Sequence, residues 1–142
     1  RTAAATGIPA EFMISQAALE TGWGRRDIRN ADGSTSHNLF GIKAGASWKG
    51  PVAEVVTTEY IDGRAQKVTA RFRAYSSYAE SFADYARLMK TNSRYAPVIA
   101  HGGTAAGFAQ NLQRAGYATD PAYADKLTRV INTTLRLQRS QA

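Results

Sequence analysis

The dipeptide Asp62-Gly63 constrains this chain more than any other pair of residues. It is a tight-turn signal, and it sits between two runs, 53–60 and 66–75, that are rich in Val, Thr, Phe and Tyr. The runs are expected to pair as an antiparallel hairpin. Side chains alternate across a strand, so Ala53, Val55, Thr57 and Glu59 share one face, and Glu54, Val56, Thr58 and Tyr60 the other. The two glutamates of this strand therefore point in opposite directions.

Everything around the hairpin reads as helix or loop. Residues 9–21 open with Pro9, continue through Ala, Met, Leu, Gln and Glu, and stop at Gly22, which places Glu20 in the last turn of a helix. Residues 25–50 are rich in Gly, Ser, Asn and Asp without a sustained period and read as a long functional loop. Ser77 and Glu80 form an S-x-x-E capping box for a helix reaching about Lys90, with Tyr78, Phe82, Tyr85 and Leu88 as its apolar stripe. A short turn is expected over 95–100. Thr104 caps a helix ending at Gly116, and Asp120-Pro121 starts a last helix reaching about Gln138, with Tyr123, Leu127, Val130 or Ile131, and Leu135 buried. The expected fold class is α+β, mainly helical with one inserted β-hairpin, in a single domain spanning residues 1–142.

Composition narrows the function classes. The chain of 142 residues has no cysteine, which removes disulfides, thiolate metal sites and a cysteine nucleophile. Its two histidines lack acidic neighbours at ligand spacing, so neither a metal nor any other cofactor is expected. No apolar run is long enough to span a membrane. The first residue is not Met and no signal-peptide core follows, so the chain reads as a mature domain or a fragment, with targeting and any partner domain elsewhere. The net charge of +7 favours encounters with a polyanion, either cell wall or nucleic acid. The basic residues are scattered rather than clustered, and no nucleic-acid-binding motif accompanies them, so no nucleic-acid partner is expected.

Glu20 is the first candidate for chemistry. Carbonyl groups at a helix C-terminus disfavour an ionised carboxylate, and Met13, Ala17 and Trp23 can add desolvation, so its pKa should rise. A carboxyl kept protonated near neutrality suits general-acid cleavage of a glycosidic bond. Position alone leaves open that Glu20 is a solvated helix-end residue.

The stretch Gln16-Ala17-Ala18-Leu19-Glu20-Thr21-Gly22-Trp23-Gly24, followed by His37-Asn38-Leu39-Phe40-Gly41-Ile42-Lys43, resembles glycoside hydrolase family 73, the glucosaminidase family of lysozyme-like peptidoglycan hydrolases. The resemblance continues through Trp48-Lys49-Gly50-Pro51, Thr57-Thr58-Glu59-Tyr60, Phe72-Arg73-Ala74-Tyr75 and Ala115-Gly116-Tyr117-Ala118-Thr119-Asp120-Pro121. It looks most like the branch of that family that opens the wall for the bacterial flagellar rod. The resemblance implies a lysozyme-like fold with a cleft between a helical lobe and a hairpin lobe. It also implies endo-acting hydrolysis of β-1,4 bonds after N-acetylglucosamine in peptidoglycan, in the periplasm, by a monomer. Rod proteins would be met through a domain outside this chain. Muramidase specificity and a non-catalytic wall-binding or rod-scaffolding module are the alternatives.

Carried over by position, Glu20 matches the catalytic acid and Glu59 the second carboxylate, which activates water or stabilises positive charge on the sugar. Glu59 can otherwise be a cross-strand partner of Lys67, Arg71 or Arg73, and Glu54 is the fallback second carboxylate. Tyr117 matches an aromatic near the acid, whose hydroxyl can orient the acetamido group or a water; it can equally be a core residue. Trp23, Asn38 and Phe40 are candidates for the substrate-binding wall of the cleft. Asn38 can instead satisfy the loop backbone, and Phe40 reads more readily as core. His37 reads as structural or exposed. The hairpin, with a polar tip and few apolar contacts to pin it, is expected to act as a movable wall.

Overall fold

A computed structural model describes residues 6–141, with side chains through residue 139. Helix α1 spans Ala10–Thr21 and begins directly after Pro9, which occupies the N-cap position and so removes no helical hydrogen bond. The helix is buried on most of its circumference. Phe12, Met13 and Ala17 enter the core together with the polar Ser15 and Gln16. Its end is a Schellman motif: Gly22 is left-handed (φ 57°, ψ 45°), its N–H reaches Leu19 O at 3.3 Å, and Trp23 N–H reaches Ala18 O at 2.7 Å. The motif stops the helix one residue after Glu20 and turns Trp23 outward.

The hairpin consists of β1 (Val52–Ile61) and β2 (Arg64–Arg73), paired in antiparallel register from Val52 opposite Arg73 to Ile61 opposite Arg64. Asp62 (φ 53°) and Gly63 (φ 78°) both take positive φ, as a two-residue turn matched to strand twist requires. Ala53 is buried, and Val55, Thr57 and Glu59 are partly covered, whereas Glu54, Val56 and Thr58 are exposed. The alternation thus falls in the register expected from sequence, and Glu54 faces solvent opposite Arg71.

Four further helices follow: α2 (Tyr78–Thr91), the short α3 (Ala96–Ala100) after a 3-10 turn at Ser93–Tyr95, α4 (Ala105–Arg114) and α5 (Tyr123–Gln141). Ser77 caps α2 by accepting from Glu80 N–H, but the Glu80 carboxylate reaches back to the N–H and hydroxyl of Ser76 rather than of Ser77. The stripe of α2 also differs from expectation. Tyr78 is half exposed, and Ser81, Tyr85 and Met89 carry the buried face. Tyr78 instead packs its ring on His37, whose Nδ1 bonds Tyr75 O at 3.0 Å, so His37 is structural. Thr104 caps α4 through Gly107 N–H. Asp120 accepts from Ala122 N–H and pairs with Lys126, which sets the start of α5 at Tyr123. Helix α5 packs against α1 and α4 through Tyr123, Leu127 and Ile131.

Loop 25–50 is tied into this frame by Asn38, which is 1% exposed. Its Nδ2 donates to Ile42 O (2.9 Å) and Arg73 O (2.8 Å), and its Oδ1 accepts from Phe40 N–H (3.3 Å) and Ile42 N–H (3.2 Å). The loop then runs beside β2, where Arg73 N–H donates to Ile42 O and Ala44 N–H to Arg71 O. Phe40 is fully buried and stacks on Tyr85 with ring centroids 4.1 Å apart. Asn38→Ala would leave the buried N–H groups of Phe40 and Ile42 without their acceptor and take one donor each from Ile42 O and Arg73 O, and a buried group left unpaired costs about 1–3 kcal/mol. Urea melts should therefore show a loss of roughly 3 kcal/mol or more, and a loss below about 1 kcal/mol would contradict this account of the loop.

Candidate active site

Glu20 lies where α1 ends, among groups delivered by four other segments. Tyr123, at the first turn of α5, donates its hydroxyl to Glu20 Oε2 at 2.8 Å. The other oxygen, Oε1, sits over Gly41, where a Cβ would approach it to 3.3 Å. Gly41 has φ +65°, so both its backbone and this close approach call for glycine. Tyr85 and Tyr117 complete the surround, and the rings of Tyr117 and Tyr123 stack with centroids 6.1 Å apart.

Partial burial among these groups desolvates the carboxyl and pushes its pKa up to about 7. The Tyr123 hydroxyl and the Arg26 guanidinium oppose the shift, each favouring the ionised form. The principal cause is therefore burial rather than the helix-end carbonyls that the sequence suggested. The hydroxyls of Tyr85, Tyr117 and Tyr123 are all pushed up, first by their own burial and then by the charge of Glu20, so they remain neutral hydrogen-bonding groups. A carboxyl balanced near neutrality, with one oxygen bonded and the other beside a glycine, is equipped to hand over a proton.

The remaining candidates divide into two groups. Trp23 is 59% exposed beside the end of α1, free to receive a sugar face. Asn38 and Phe40, expected on the cleft wall, lie behind it. The amide of Asn38 is fully engaged with main chain, and Phe40 has no accessible surface. Tyr117 donates its hydroxyl to Phe40 O at 2.5 Å, fastening the loop that carries Gly41 and leaving only its lone pairs to meet a ligand.

Glu59 has none of the cross-strand partners considered from sequence. Its Oε2 pairs with Lys43 Nζ at 2.8 Å and its Oε1 accepts the Thr119 hydroxyl at 3.0 Å, while Thr119 Oγ1 accepts Tyr60 N–H at 2.9 Å. The strand near the hairpin tip is thus bonded both to loop 25–50 and to the segment before α5. The hairpin, expected from sequence to have few contacts to pin it, has these polar ones near its tip. Sequence reasoning passed over Tyr123, Gly41, Lys43, Thr119 and Arg26. Gly41, Lys43 and Thr119 lie within the stretches that carry the family resemblance, and Tyr123 heads a buried stripe where its hydroxyl needs a partner, so each of these carried a signal.

Among the described residues, no cluster of three or more His, Cys, Asp or Glu is placed to hold a metal ion. No helix among them is long and apolar enough to cross a membrane.

Over residues 1–136 the chain matches the glucosaminidase family, described as mannosyl-glycoprotein endo-beta-N-acetylglucosaminidase. The chain belongs to this family. The glucosaminidase domain is 55% identical over 126 residues to peptidoglycan hydrolase FlgJ of Escherichia coli, covering 89% of this chain and 40% of that protein, so it spans well under half the length of that relative. It superimposes with a TM-score of 0.90 on a peptidoglycan hydrolase mutant from Sphingomonas sp. A1, at 52% identity over 99% of this chain and 91% of the other. A C-terminally truncated glycoside hydrolase domain of Salmonella typhimurium FlgJ aligns with a TM-score of 0.74, at 50% identity, covering 95% and 89% of the two chains. The fold is thus the lysozyme-like α+β fold expected from the sequence.

The raised pKa of Glu20 has a consequence for stability. The folded protein holds this proton up to about pH 7, whereas an unperturbed carboxyl releases it near 4.5. Between those values the folded state binds more protons than the unfolded state, so stability falls as pH rises. Above pH 7 the loss is complete, and it amounts to on the order of 3 kcal/mol for a shift of this size. Glu20→Gln should remove that slope, so that its advantage in melting temperature over wild type grows from pH 5 to pH 8. A constant difference across that range would mean that the carboxyl is not desolvated.

Proposed function

We propose that this glucosaminidase-family domain hydrolyses β-1,4 glycosidic bonds of peptidoglycan as an endo-β-N-acetylglucosaminidase, with Glu20 as the general acid. The observation that carries the reading is a carboxyl with a pKa of about 7 at the end of α1, bonded on one oxygen by Tyr123, with the exposed side chain of Trp23 three residues further along the chain. At neutral pH about half of such groups hold the proton that the leaving sugar oxygen needs, and the ionised form that remains can take a proton from water in the second half of a cycle.

Glu59 is the second carboxylate in this reading, with Glu54 set aside because it faces solvent on the opposite side of the strand. Both oxygens of Glu59 are already engaged, by Lys43 and by Thr119. That favours an electrostatic or water-positioning role over direct attack on the anomeric carbon. It also supports a second reading, in which the acetamido oxygen of the substrate meets the oxocarbenium-like centre while Glu59 organises the facing wall. Trp23 offers a stacking surface for a sugar ring, and Tyr117 holds the Gly41 loop in place beneath the acid.

The likeness to FlgJ supports a role in opening the wall for the flagellar rod, with the domain working in the periplasm and meeting rod proteins through parts of the protein outside this chain. The cationic surface suits a wall rich in acidic groups.

Digestion of purified peptidoglycan, followed by borohydride reduction and mass spectrometry of the fragments, tests the assignment. Reduced N-acetylglucosamine at the new ends is expected; reduced N-acetylmuramic acid would make the domain a muramidase, and no new ends would make it a binding module. Glu20→Gln should retain the fold and lose roughly a hundred- to ten-thousand-fold in rate. Glu59→Gln should be impaired and Glu54→Gln should stay near wild type. Greater damage at Glu54 would reverse the assignment of the second carboxylate.

A further inference from the structure

The hydrogen bond that Glu20 receives does not end at Tyr123. The Tyr123 hydroxyl also accepts from Gln16 Nε2 at 3.1 Å, and Gln16 Oε1 accepts the hydroxyl of Tyr85 at 2.5 Å. Gln16 lies one helical turn before Glu20 on the same face of α1 and has no accessible surface, and Tyr85 is equally buried. A chain of four polar groups thus runs from the core to the carboxyl.

Its direction follows from the distances and the proton inventory. A separation of 2.5 Å lies at the short end of the range for O–H···O and below the range for N–H···O, so the atom of Gln16 that faces Tyr85 is the oxygen. The amide nitrogen then faces Tyr123 and can only donate. The Tyr123 oxygen is engaged as an acceptor, and its single proton is directed at Glu20 Oε2. If the amide of Gln16 were reversed, its oxygen would draw the Tyr123 proton away, and Tyr123 could approach Glu20 only as an acceptor. Tyr85 selects between these states.

We propose that Gln16 and Tyr85 are positioning residues for the acid: they hold the Tyr123 proton on Glu20 Oε2 and so confine the transferable proton of Glu20 to Oε1, the oxygen beside Gly41. The carboxyl thereby carries its proton on one defined atom, and the bond from Tyr123 favours the ionised form that is left once the proton has gone. Charged and titratable groups facing Glu20 from the neighbouring elements are Arg26 after α1, Tyr85 on α2, Tyr117 before α5 and Tyr123 on α5. Of these, Tyr123 alone bonds the carboxyl directly.

The kinetic part of the test rests on Glu20 acting as the acid, and a direct titration does not. With glutamate labelled at the carboxyl carbon, NMR follows the midpoint of Glu20, assigned by its disappearance in Glu20→Gln. Gln16→Met removes the donor to Tyr123 and frees its hydroxyl to rotate, so the midpoint should rise by about half to one pH unit. Gln16→Glu keeps the shape, draws the Tyr123 proton to position 16 and adds a like charge, so the rise should be larger, on the order of one to two units. Tyr85→Phe leaves Gln16 free to reverse and should move the midpoint the same way by a smaller amount. Ser15→Ala breaks a partly buried bond from the same helix to Thr134 and should lower the melting temperature without moving the midpoint.

In pH–rate profiles on soluble peptidoglycan fragments, the alkaline limb should follow the NMR midpoint. At its plateau kcat should fall several-fold in Gln16→Met, with KM within about twofold. Unmoved midpoints in folded Gln16→Glu and Tyr85→Phe would overturn the proposal even if all variants lose stability. If the wild-type domain cleaves no glycan, the proposed function fails, and the carboxyl titration still decides whether the chain of bonds sets the proton's place.

Discussion

Keeping a carboxyl out of water while leaving it reachable is the constraint around which this domain is arranged. The transfer of a charge from water into a protein interior is strongly unfavourable, and the usual response is to pair it or to neutralise it. Here neutralisation is the useful outcome. Burial raises the pKa of Glu20, while a bond from Tyr123 and the charge of Arg26 limit the rise to about 7. A fully apolar surround would leave a permanent acid, and a cationic neighbour in contact would leave a permanent base. Tyrosine supplies both an apolar ring and one directed proton, which suits the intermediate case.

That arrangement explains several features that look separate. Helix α1 is buried on most sides because its last turn must be surrounded, and its polar Ser15 and Gln16 are tolerated inside because each has found a partner. Asn38 braces loop 25–50 so that Gly41 can lie against the carboxyl, and Tyr117 fastens the same loop from the opposite side. Glu59, Lys43 and Thr119 link the hairpin to both flanks by directional bonds.

The sequence disclosed local chemistry well and distant chemistry poorly. The hairpin and its register followed from Asp62-Gly63 and a period of two, and the helix starts from Ser77 and Thr104, because turns and caps are encoded by neighbours; the last helix begins at Tyr123, after a turn at Pro121 and Ala122 rather than with Pro121 in its first turn. The boundary details that slipped, such as Glu80 bonding Ser76 and Tyr78 lying outside the buried stripe, are settled by tertiary contacts. Glu20 and Glu59 were identifiable by resemblance, but the partners that set the state of Glu20 lie far away along the chain: Tyr85 is 69 residues from Gln16, and Tyr123 is 103 from Glu20. No periodicity links such positions. Asn38 illustrates the opposite limit, since its residue type permitted either a ligand contact or a backbone clamp and only burial distinguishes them.

The end of α1 bears on how such a domain can be altered. Gly22, Trp23 and Gly24 are three consecutive residues with positive φ, at 57°, 59° and 86°, and only the middle one has a side chain. A large aromatic residue held there costs roughly 1–2 kcal/mol relative to glycine, and most of its ring is exposed rather than packed. A search for thermostable variants, scored on folding alone, would replace Trp23 with glycine or asparagine among its first choices. It would thereby erase an exposed indole held in a backbone conformation that folding disfavours, in the turn directly after the helix that carries Glu20.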